Sequence, residues 1–455
     1  MLFLVFLRVL PYYNYSILVT SFRKGNGLLD IDLEIENVSR FNMMKPAERQ
    51  KNYLRPVTWA VSFPSVWSHK TKIVRTNMED VKPPYILLCN HNAFLDFKVA
   101  TAAIFPTRAN YVVAIDGFIG REWLMRKVGC ICKRKFTNDI SLVRQLKRVT
   151  DNGDIAVIYP EARYSLCGTN SFLPESLGKL AKLLKVPVVT LICHGNHINS
   201  PFWNTTDHGV KGTEGFLTQI ITAEEVASLP VTEINRRINE KFVYDDYAWQ
   251  KENNIRVKYP NRAQGLHKIL YQCPNCGTEY QMASAGTKLE CKSCGKEWEM
   301  SELGELRALN GKTEFSHIPD WYEWEKDNVR EEIENGSYYF KAPVKVCALP
   351  NSKGYIKLGK GTLTHDMNGF VLEGKYGGHA YRVEKSVPSL YSCHIEFNYL
   401  NKFGDCIDLN TLSDTYYIYP YDCDFSVTKV AMATEELFFA DRRKKIEGKE
   451  KVQSI

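Results

Sequence analysis

Strand-like apolar runs alternate with helical segments over the first half of this chain, and this alternation limits the fold more than any other feature of the sequence. Four runs rich in β-branched residues, typical of strands covered on both faces, span residues 85–89, 111–115, 155–159 and 186–193. Apolar residues three and four apart predict intervening helices at residues 94–104, 120–127, 140–150 and 174–184. Such an order predicts an α/β sandwich around a mostly parallel sheet.

Polar residues follow two of the predicted strands, at the edge where sites form in parallel sheets. His91 comes shortly after the first run, Asp96 lies five residues later, and Glu161 closely follows the third run. His91 and Asp96 would not share one helical face, but they meet if His91 precedes a helix and Asp96 lies in its first turns. An imidazole oriented by a carboxylate is a general base near neutral pH. The alternative is a buried histidine and an unrelated helix carboxylate.

Two Cys-x-x-Cys pairs, each followed by glycine, lie fourteen residues apart and comprise Cys273, Cys276, Cys291 and Cys294. This spacing predicts a zinc ribbon, in which four thiolates form a closed structural site with no position left for catalysis. The 13 cysteines of the chain are otherwise scattered, which favours a reducing compartment over a disulfide framework. Lysines and glutamates balance each other around the second pair, so no nucleic-acid partner is expected.

Changes in composition divide the 455 residues into four predicted regions. Residues 1–45 form an apolar extension whose first 20 residues contain Arg8 and Pro11, which suits neither a signal peptide nor a spanning helix. An interfacial anchor and an upstream extension both remain open for it. Residues 46–258 form the α/β domain, and 259–341 the ribbon with flanking helices. Residues 342–455 contain short strand-like runs and one terminal amphipathic helix, which predicts a small antiparallel β-domain.

Asn90-His91 and Asp96, placed after an apolar strand, resemble the first motif of the glycerophospholipid acyltransferase family. That family includes the enzymes that convert lysophosphatidate to phosphatidate. The basic segment 129–135 is similar to its second motif, and residues 159–165 are similar to its third, Phe-Pro-Glu-Gly-Thr-Arg-Ser. Here Ala162 replaces the glycine, and the arginine arrives one residue early as Arg163. An apolar strand with proline at 186–189 follows, so the resemblance covers roughly residues 50–225.

The resemblance implies direct acyl transfer within residues 46–258. His91 would take a proton from the acceptor hydroxyl as it attacks the thioester of acyl-CoA or acyl carrier protein, and Asp96 would orient the imidazole. Substrate would be bound by Asn90, Lys133, Arg134, Glu161 and Arg163. Their cationic groups would receive a phosphate through charge-assisted hydrogen bonds. A solvated basic helix face is the alternative for the second motif.

We therefore expect an O-acyltransferase acting on a lysophospholipid such as 1-acylglycerol-3-phosphate. The net charge of +7 suits an anionic partner, and we expect a cytoplasmic protein in peripheral contact with the inner face of a membrane. A thioester or lipid hydrolase is one alternative, although the commonest Gly-x-Ser-x-Gly motif is absent. A lipid-binding scaffold with a degenerate acyltransferase domain is another. The C-terminal strands and helix resemble the pleckstrin-homology-like fold, with a generic β-barrel as the alternative.

Overall fold

The computed structural model describes residues 38–401 and 403–453 of the chain. Its first sheet contains seven strands in the order β1-β7-β6-β2-β5-β3-β4. They are β1 Lys72–Thr76, β2 Ile86–Cys89, β3 Ala109–Ala114, β4 Ile131–Lys133, β5 Ile155–Ile158, β6 Val188–His194 and β7 Glu214–Ile221. The five strands from β6 to β4 are parallel, while β7 is antiparallel to β6 and pairs in parallel with β1. The predicted parallel-rich α/β sheet is confirmed.

Helices cover both faces of this sheet. They are α1 Arg55–Ser68, α2 Leu95–Ala103, α3 Glu122–Lys127, α4 Ile140–Asp151, α5 Ser176–Leu184, α6 Asn196–Asn199, α7 Ala223–Ser228, α8 Val231–Lys241 and α9 Asp246–Glu252. Successive residues of a strand point to opposite faces. Ile86 and Leu88 accordingly pack with α4, α5 and α8, whereas Leu87 and Cys89 pack with α2. Both faces of β2 are therefore buried, which explains its uninterrupted apolar run.

The ribbon segment forms a four-stranded antiparallel sheet in the order β11-β10-β9-β8. Its strands and the helix that follows are β8 Met282–Ala285, β9 Lys288–Cys291, β10 Glu297–Met300, β11 Leu306–Ala308 and α10 Ile318–Glu334. The fully buried rings of Trp298 and Trp321 meet edge to face with centroids 4.9 Å apart. This aromatic contact fixes α10 against the small sheet.

The C-terminal part is a seven-stranded antiparallel sheet in the order β15-β14-β13-β12-β18-β17-β16. Its elements are β12 Phe340–Leu349, β13 Ile356–Asp366, β14 Gly369–Tyr376, β15 His379–Ser386, β16 His394–Glu396, β17 Cys406–Asn410, β18 Thr415–Pro420 and the helix α11 Val427–Gln453. The expected strand content and terminal helix are present. The pleckstrin-homology-like assignment stays a prediction.

Two apolar cores join the three sheets. One runs from the ribbon into the C-terminal sheet and α11 and includes Phe136, Phe202 and Trp203 of the α/β part. The other packs the first sheet against the C-terminal sheet at Leu349 and Tyr417. Residues on both sides of the predicted domain boundaries therefore pack into the same cores. The division into domains itself stays a prediction.

Within the described ranges no helix has both the length and the apolar character needed to cross a bilayer. The apolar stretch at residues 1–20 lies outside those ranges.

Candidate active site

The two predicted catalytic side chains lie together at the carboxyl edge of the first sheet. His91 follows β2, and Asp96 lies in the first turn of α2. His91 Nδ1 is 3.5 Å from Asp96 Oδ2, a distance typical of an ion pair and not of a well-directed hydrogen bond. Within the described part of the chain this nitrogen has no hydrogen-bond partner. The pair is thus within electrostatic range, and a small ring movement would complete a hydrogen bond.

The Asp96 carboxylate is fixed in one orientation. Its Oδ2 accepts hydrogen bonds from the backbone N–H groups of Asn92, at 2.5 Å, and Ala93, at 2.8 Å. Its Oδ1 accepts one from Asn196 Nδ2 at 2.7 Å. The side chain is fully buried. These three hydrogen bonds hold the Asp96 carboxylate in a fixed orientation beside the His91 ring.

The His91 ring lies between two aromatic rings. The centroids of Tyr159 and Tyr164 are 4.3 and 4.2 Å from that of His91. The His91 side chain remains 23% exposed, so a substrate has access to it. Burial lowers the pKa of His91 below its usual value, and the Asp96 charge partly opposes this effect. At neutral pH the imidazole is therefore in the neutral form that a general base requires.

Glu161 holds the His91 backbone. Its Oε2 accepts the His91 N–H at 2.8 Å, and its Oε1 accepts the Ser171 N–H at 2.8 Å and the Tyr244 hydroxyl at 3.1 Å. The Ser165 N–H donates to the His91 carbonyl at 2.7 Å. Glu161 is 1% exposed, and this burial raises its pKa to about 7. The Glu161 carboxylate is therefore bonded to the backbone that positions His91, and its predicted contact with substrate stays a prediction.

Arg163 points away from the candidate site. Its guanidinium forms an ion pair of 2.7 Å with Glu435 of α11, and the two side chains are only 5% and 3% exposed. The preceding Ala162, which stands where the family motif has glycine, has the left-handed φ of 58°. The alanine thus retains the glycine-like backbone turn at some conformational cost. The guanidinium of Arg163 is thus enclosed against the C-terminal helix, and its contact with a substrate phosphate stays a prediction.

The basic side chains of the second motif are also hydrogen-bonded within the protein. Arg134 is 1% exposed, and its guanidinium donates to the carbonyls of Leu349 at 2.9 Å and Pro350 at 2.9 Å and to Thr415 Oγ1 at 2.8 Å. Lys133 donates to the carbonyl of Thr137 and, at 2.9 Å, to its hydroxyl. Burial lowers the pKa of Lys133 to about 8. The Arg134 guanidinium is therefore enclosed, whereas Lys133 is half-buried, and phosphate binding by both residues stays a prediction.

Asn90 extends the pairing of β2 with β6 beyond the last strand residue. Its Nδ2 donates to the carbonyl of Cys193 at 2.9 Å, and its Oδ1 accepts the N–H of the same residue at 2.8 Å. The side chain is fully buried. A substrate-binding role for Asn90 stays a prediction. Its amide fixes the sheet edge from which His91 emerges.

Other residues also lie near His91. Lys135, the alternative to Lys133 in the basic run, lies close enough to lower the pKa of His91. Tyr164 covers the ring from the position that carries arginine in the family motif.

Asn196, whose amide donates to Asp96, lies between His194 and His197 after β6 and was not predicted. His194 has its Nδ1 3.2 Å from Asp246 Oδ1, a second histidine–carboxylate pair on this edge.

The four ribbon cysteines are arranged as a metal site requires. Cys273 Sγ lies 3.8 Å from Cys294 Sγ, and Cys276 Sγ lies 3.8 Å from Cys291 Sγ. All four sulfur atoms lie within 4.8 Å of one another. Tetrahedral zinc with Zn–S bonds of about 2.3 Å separates its sulfur ligands by about 3.8 Å. The geometry is therefore compatible with zinc, which would supply a structural cross-link and no chemistry.

The His91–Asp96 pair lies inside the part of the chain that matches a known protein family. A family model described as acyltransferase matches residues 69–194. Among solved structures, the 1-acyl-sn-glycerophosphate (LPA) acyltransferase PlsC from Thermotoga maritima is similar at 15% identity, covering 42% of this chain and 82% of that one, with a TM-score of 0.32. A similarity of that size carries no argument about substrate. No curated protein matches. The ribbon and the C-terminal sheet lie outside the matched residues.

Proposed function

We propose that this protein transfers a fatty acyl group from acyl-CoA or acyl carrier protein to the hydroxyl of a lysophospholipid such as 1-acylglycerol-3-phosphate. The observation that carries the proposal is the His91–Asp96 pair. It lies at the carboxyl edge of the parallel sheet and inside the 69–194 interval that matches the acyltransferase family. Sites in parallel sheets form at this edge.

In the proposed reaction, neutral His91 accepts the proton of the acceptor hydroxyl through Nε2. The oxygen attacks the thioester carbonyl, the C–S bond of the tetrahedral intermediate breaks, and the thiolate leaves with the proton that His91 returns. Asp96, held 3.5 Å from Nδ1, stabilises the imidazolium between these steps. Because three hydrogen bonds fix its carboxylate, little reorganisation accompanies the charge change.

For the acceptor phosphate we assign Lys135 in place of Arg134. Lys135 influences His91 electrostatically, whereas the guanidinium of Arg134 is bonded to the C-terminal sheet. A peripheral membrane contact belongs to the same proposal, since a lysophospholipid resides in a bilayer. Exposed aromatic side chains support it, with Trp67 at 69% and Phe105 at 46% exposure.

The test is a lipid-product analysis with purified full-length protein, acyl-CoA and a panel of lysolipids. We expect a phospholipid product from the wild type and a loss of about 10²–10⁴-fold in turnover for His91→Ala. His379→Ala, an exposed histidine on β15, is the matched control and should retain activity. Release of free fatty acid without an acceptor would instead indicate a hydrolase. Unchanged turnover in His91→Ala would refute the proposed base.

One observation favours a second candidate, a lipid-binding scaffold with a degenerate acyltransferase domain. Arg134 and Arg163, the arginines of the second and third motifs, are both enclosed by the C-terminal part. Under this alternative no lysolipid is acylated, and His91→Ala binds lipid as well as the wild type does. The same product assay, paired with a lipid-binding measurement, separates the two.

A further inference from the structure

A second cluster of ionisable side chains lies on the first-sheet side of the C-terminal sheet. His394 on β16 is the direct cross-strand partner of Asp408 on β17, and Glu396 follows His394 by two residues. Side chains two apart on a strand share a face. His394 Nε2 lies 2.8 Å from Glu396 Oε1 and 4.0 Å from Asp408 Oδ2. One donor atom from each of the three lies within 4.8 Å of the others.

The cluster is buried except at Glu396, whose side chain is 17% exposed. The side chains of His394 and Asp408 are each 2% exposed. In the described ranges, the one hydrogen bond that reaches the Asp408 carboxylate is a 3.8 Å contact from the Cys406 thiol. Burial raises the pKa of Asp408 well above its usual value; Asp116 adds a further nearby carboxylate, and Lys135 is the nearby cation that opposes the rise. Burying paired carboxylates with so few donors is costly unless another cation is present.

We propose that His394, Glu396 and Asp408 bind a divalent transition-metal ion. One imidazole nitrogen and two carboxylate oxygens suit Zn²⁺, Mn²⁺ or Fe²⁺, whereas Ca²⁺ and Mg²⁺ prefer oxygen ligands alone. Donors about 2.1 Å from one ion lie about 3.0–3.4 Å apart, and the observed 2.8 and 4.0 Å separations bracket that range. The site shares no ligand with the ribbon cysteines.

The site adjoins the His91 pair. A row of rings connects them: His91 to Tyr164 at 4.2 Å, Tyr164 to Phe202 at 5.7 Å, and Phe202 to His394 at 6.2 Å between centroids. Burial is the main cause that lowers the pKa of His394, and the charge of Lys135 lowers it further. Lys135 is thus electrostatically coupled to both sites.

This position gives the ion a role that rests on the proposed function. Three protein ligands leave coordination positions open, and phosphate oxygens are suitable occupants. Since Arg134 and Arg163 are bonded within the protein, the ion and Lys135 together supply the positive charge that the acceptor phosphate requires. The ligand class is therefore a phosphomonoester on the lysolipid acceptor.

The first test measures zinc retained by the full-length protein after incubation with Zn²⁺ and desalting. We expect two equivalents in the wild type and one in Asp408→Asn and Glu396→Gln, which keep the side-chain volume. Cys276→Ser, at the ribbon, should also retain one equivalent, and Glu384→Gln, an exposed carboxylate on β15, should retain two. Circular dichroism verifies that each variant is folded. One equivalent in the wild type, or two in both isosteric variants, would overturn the site.

The second test compares acceptors with and without phosphate. For Asp408→Asn we expect KM for 1-acylglycerol-3-phosphate to rise at least tenfold, with a smaller change in kcat, and KM for a 1-acylglycerol to stay unchanged. An unchanged KM in a variant that has lost its zinc would overturn the phosphate role but leave the metal site standing. If the wild type acylates neither acceptor, the proposed function fails, and the zinc measurement still decides the site.

Discussion

At the scale of residues, the candidate site depends on the backbone of His91 as much as on its ring. Glu161 accepts the His91 N–H, and Ser165 donates to the His91 carbonyl, so the third motif fixes the first motif on both sides. The side chain then needs only Asp96 and the two tyrosine rings to set its position and charge state. The motifs cooperate through positioning before any substrate is bound.

The pH dependence of turnover follows from the His91 pKa. Burial lowers this pKa below the usual 6.5, and only the neutral ring accepts a proton. We expect kcat/KM to rise with pH through a single pKa below 6.5 and to be constant from there through neutral pH. Rates measured from pH 4.5 to 8 with a saturating thioester test this. A limb centred above about pH 7 would assign the titration to another group.

Glu161→Gln should weaken both stability and catalysis. A glutamine has one carbonyl oxygen, so either the His91 or the Ser171 N–H loses its acceptor, at a cost of about 1–3 kcal/mol. We expect a lower midpoint of urea unfolding and a reduced kcat, because the His91 backbone is released. Glu240→Gln, an exposed helix residue, is the control and should change neither. Wild-type kcat in Glu161→Gln would show that the bond is dispensable.

The separation along the sequence between a side chain and its partner decides which site residues can be predicted. His91 and Asp96 are five residues apart, so strand and helix patterns alone bring them together. Arg134 finds its partners 215 to 281 residues later, and Arg163 finds Glu435 272 residues later. Local patterns carry no information about such contacts. Both arginines are therefore expected, from the sequence, to bind substrate. In the structure Arg134 donates to carbonyls of the C-terminal part, and Arg163 pairs with Glu435.

At the scale of elements, strands buried on both faces were predicted better than strands with one exposed face. β2 and β5 are buried at every residue and agree closely with the apolar runs. β13 is eleven residues long, but the sequence predicts only short strand-like runs in this region, because lysines and glycines interrupt the pattern of β13. One of these, Gly361, is required by packing, since a Cβ there would lie 2.5 Å from the carbonyl oxygen of Glu373 on β14. The glycine marks a close strand pair and not a turn.

Helix α1 presents an aromatic surface that suits a bilayer interface. Trp59, Phe63 and Trp67 are spaced four apart and share one face of the helix. Phe105 joins them, with ring centroids 4.9 Å from Trp59 and 5.3 Å from Phe63. Arg55 lies over the Trp59 ring, which places a cation beside the aromatic face. Amphipathic aromatic rings of this kind favour the headgroup level of membranes.

The double variant Trp67→Ala/Phe105→Ala should lose vesicle binding. Each buried aromatic ring contributes about 1.5–3 kcal/mol, so we expect at least a tenfold weaker partition onto phosphatidylglycerol vesicles. Co-sedimentation measures this. Tyr339→Ala removes another ring that is 62% exposed, away from α1, and is expected to bind as the wild type does. Equal binding by all three proteins would contradict a role for this face.

At the scale of the whole molecule, the α/β part and the C-terminal part are joined by buried polar contacts as well as by shared apolar cores. Arg163 pairs with Glu435, which also accepts from Lys326 at 3.2 Å and from Ser392 at 2.9 Å. One carboxylate of α11 therefore connects the third motif, α10 and the loop before β16. Removing it leaves a buried guanidinium without its counter-charge.

Glu435→Gln should accordingly destabilise the protein by about 3–5 kcal/mol, the cost of breaking a buried ion pair from one side. Glu373→Gln, which breaks the exposed pair with Arg382, should cost less than about 1 kcal/mol. Denaturant unfolding of both variants gives the comparison. Similar values for the two would mean that the Arg163–Glu435 pair contributes no more than a surface pair.

The guanidinium of Arg134 donates to the carbonyls of Leu349 and Pro350. Because these carbonyls belong to the C-terminal part, we expect the α/β part not to fold well without it. A fragment ending before β12 would carry the His91 pair but leave that cation facing an emptied cavity. Genetic truncation to the family-like segment should thus give an insoluble or inert product. Co-expressing the remainder as a separate polypeptide should rescue it by complementation.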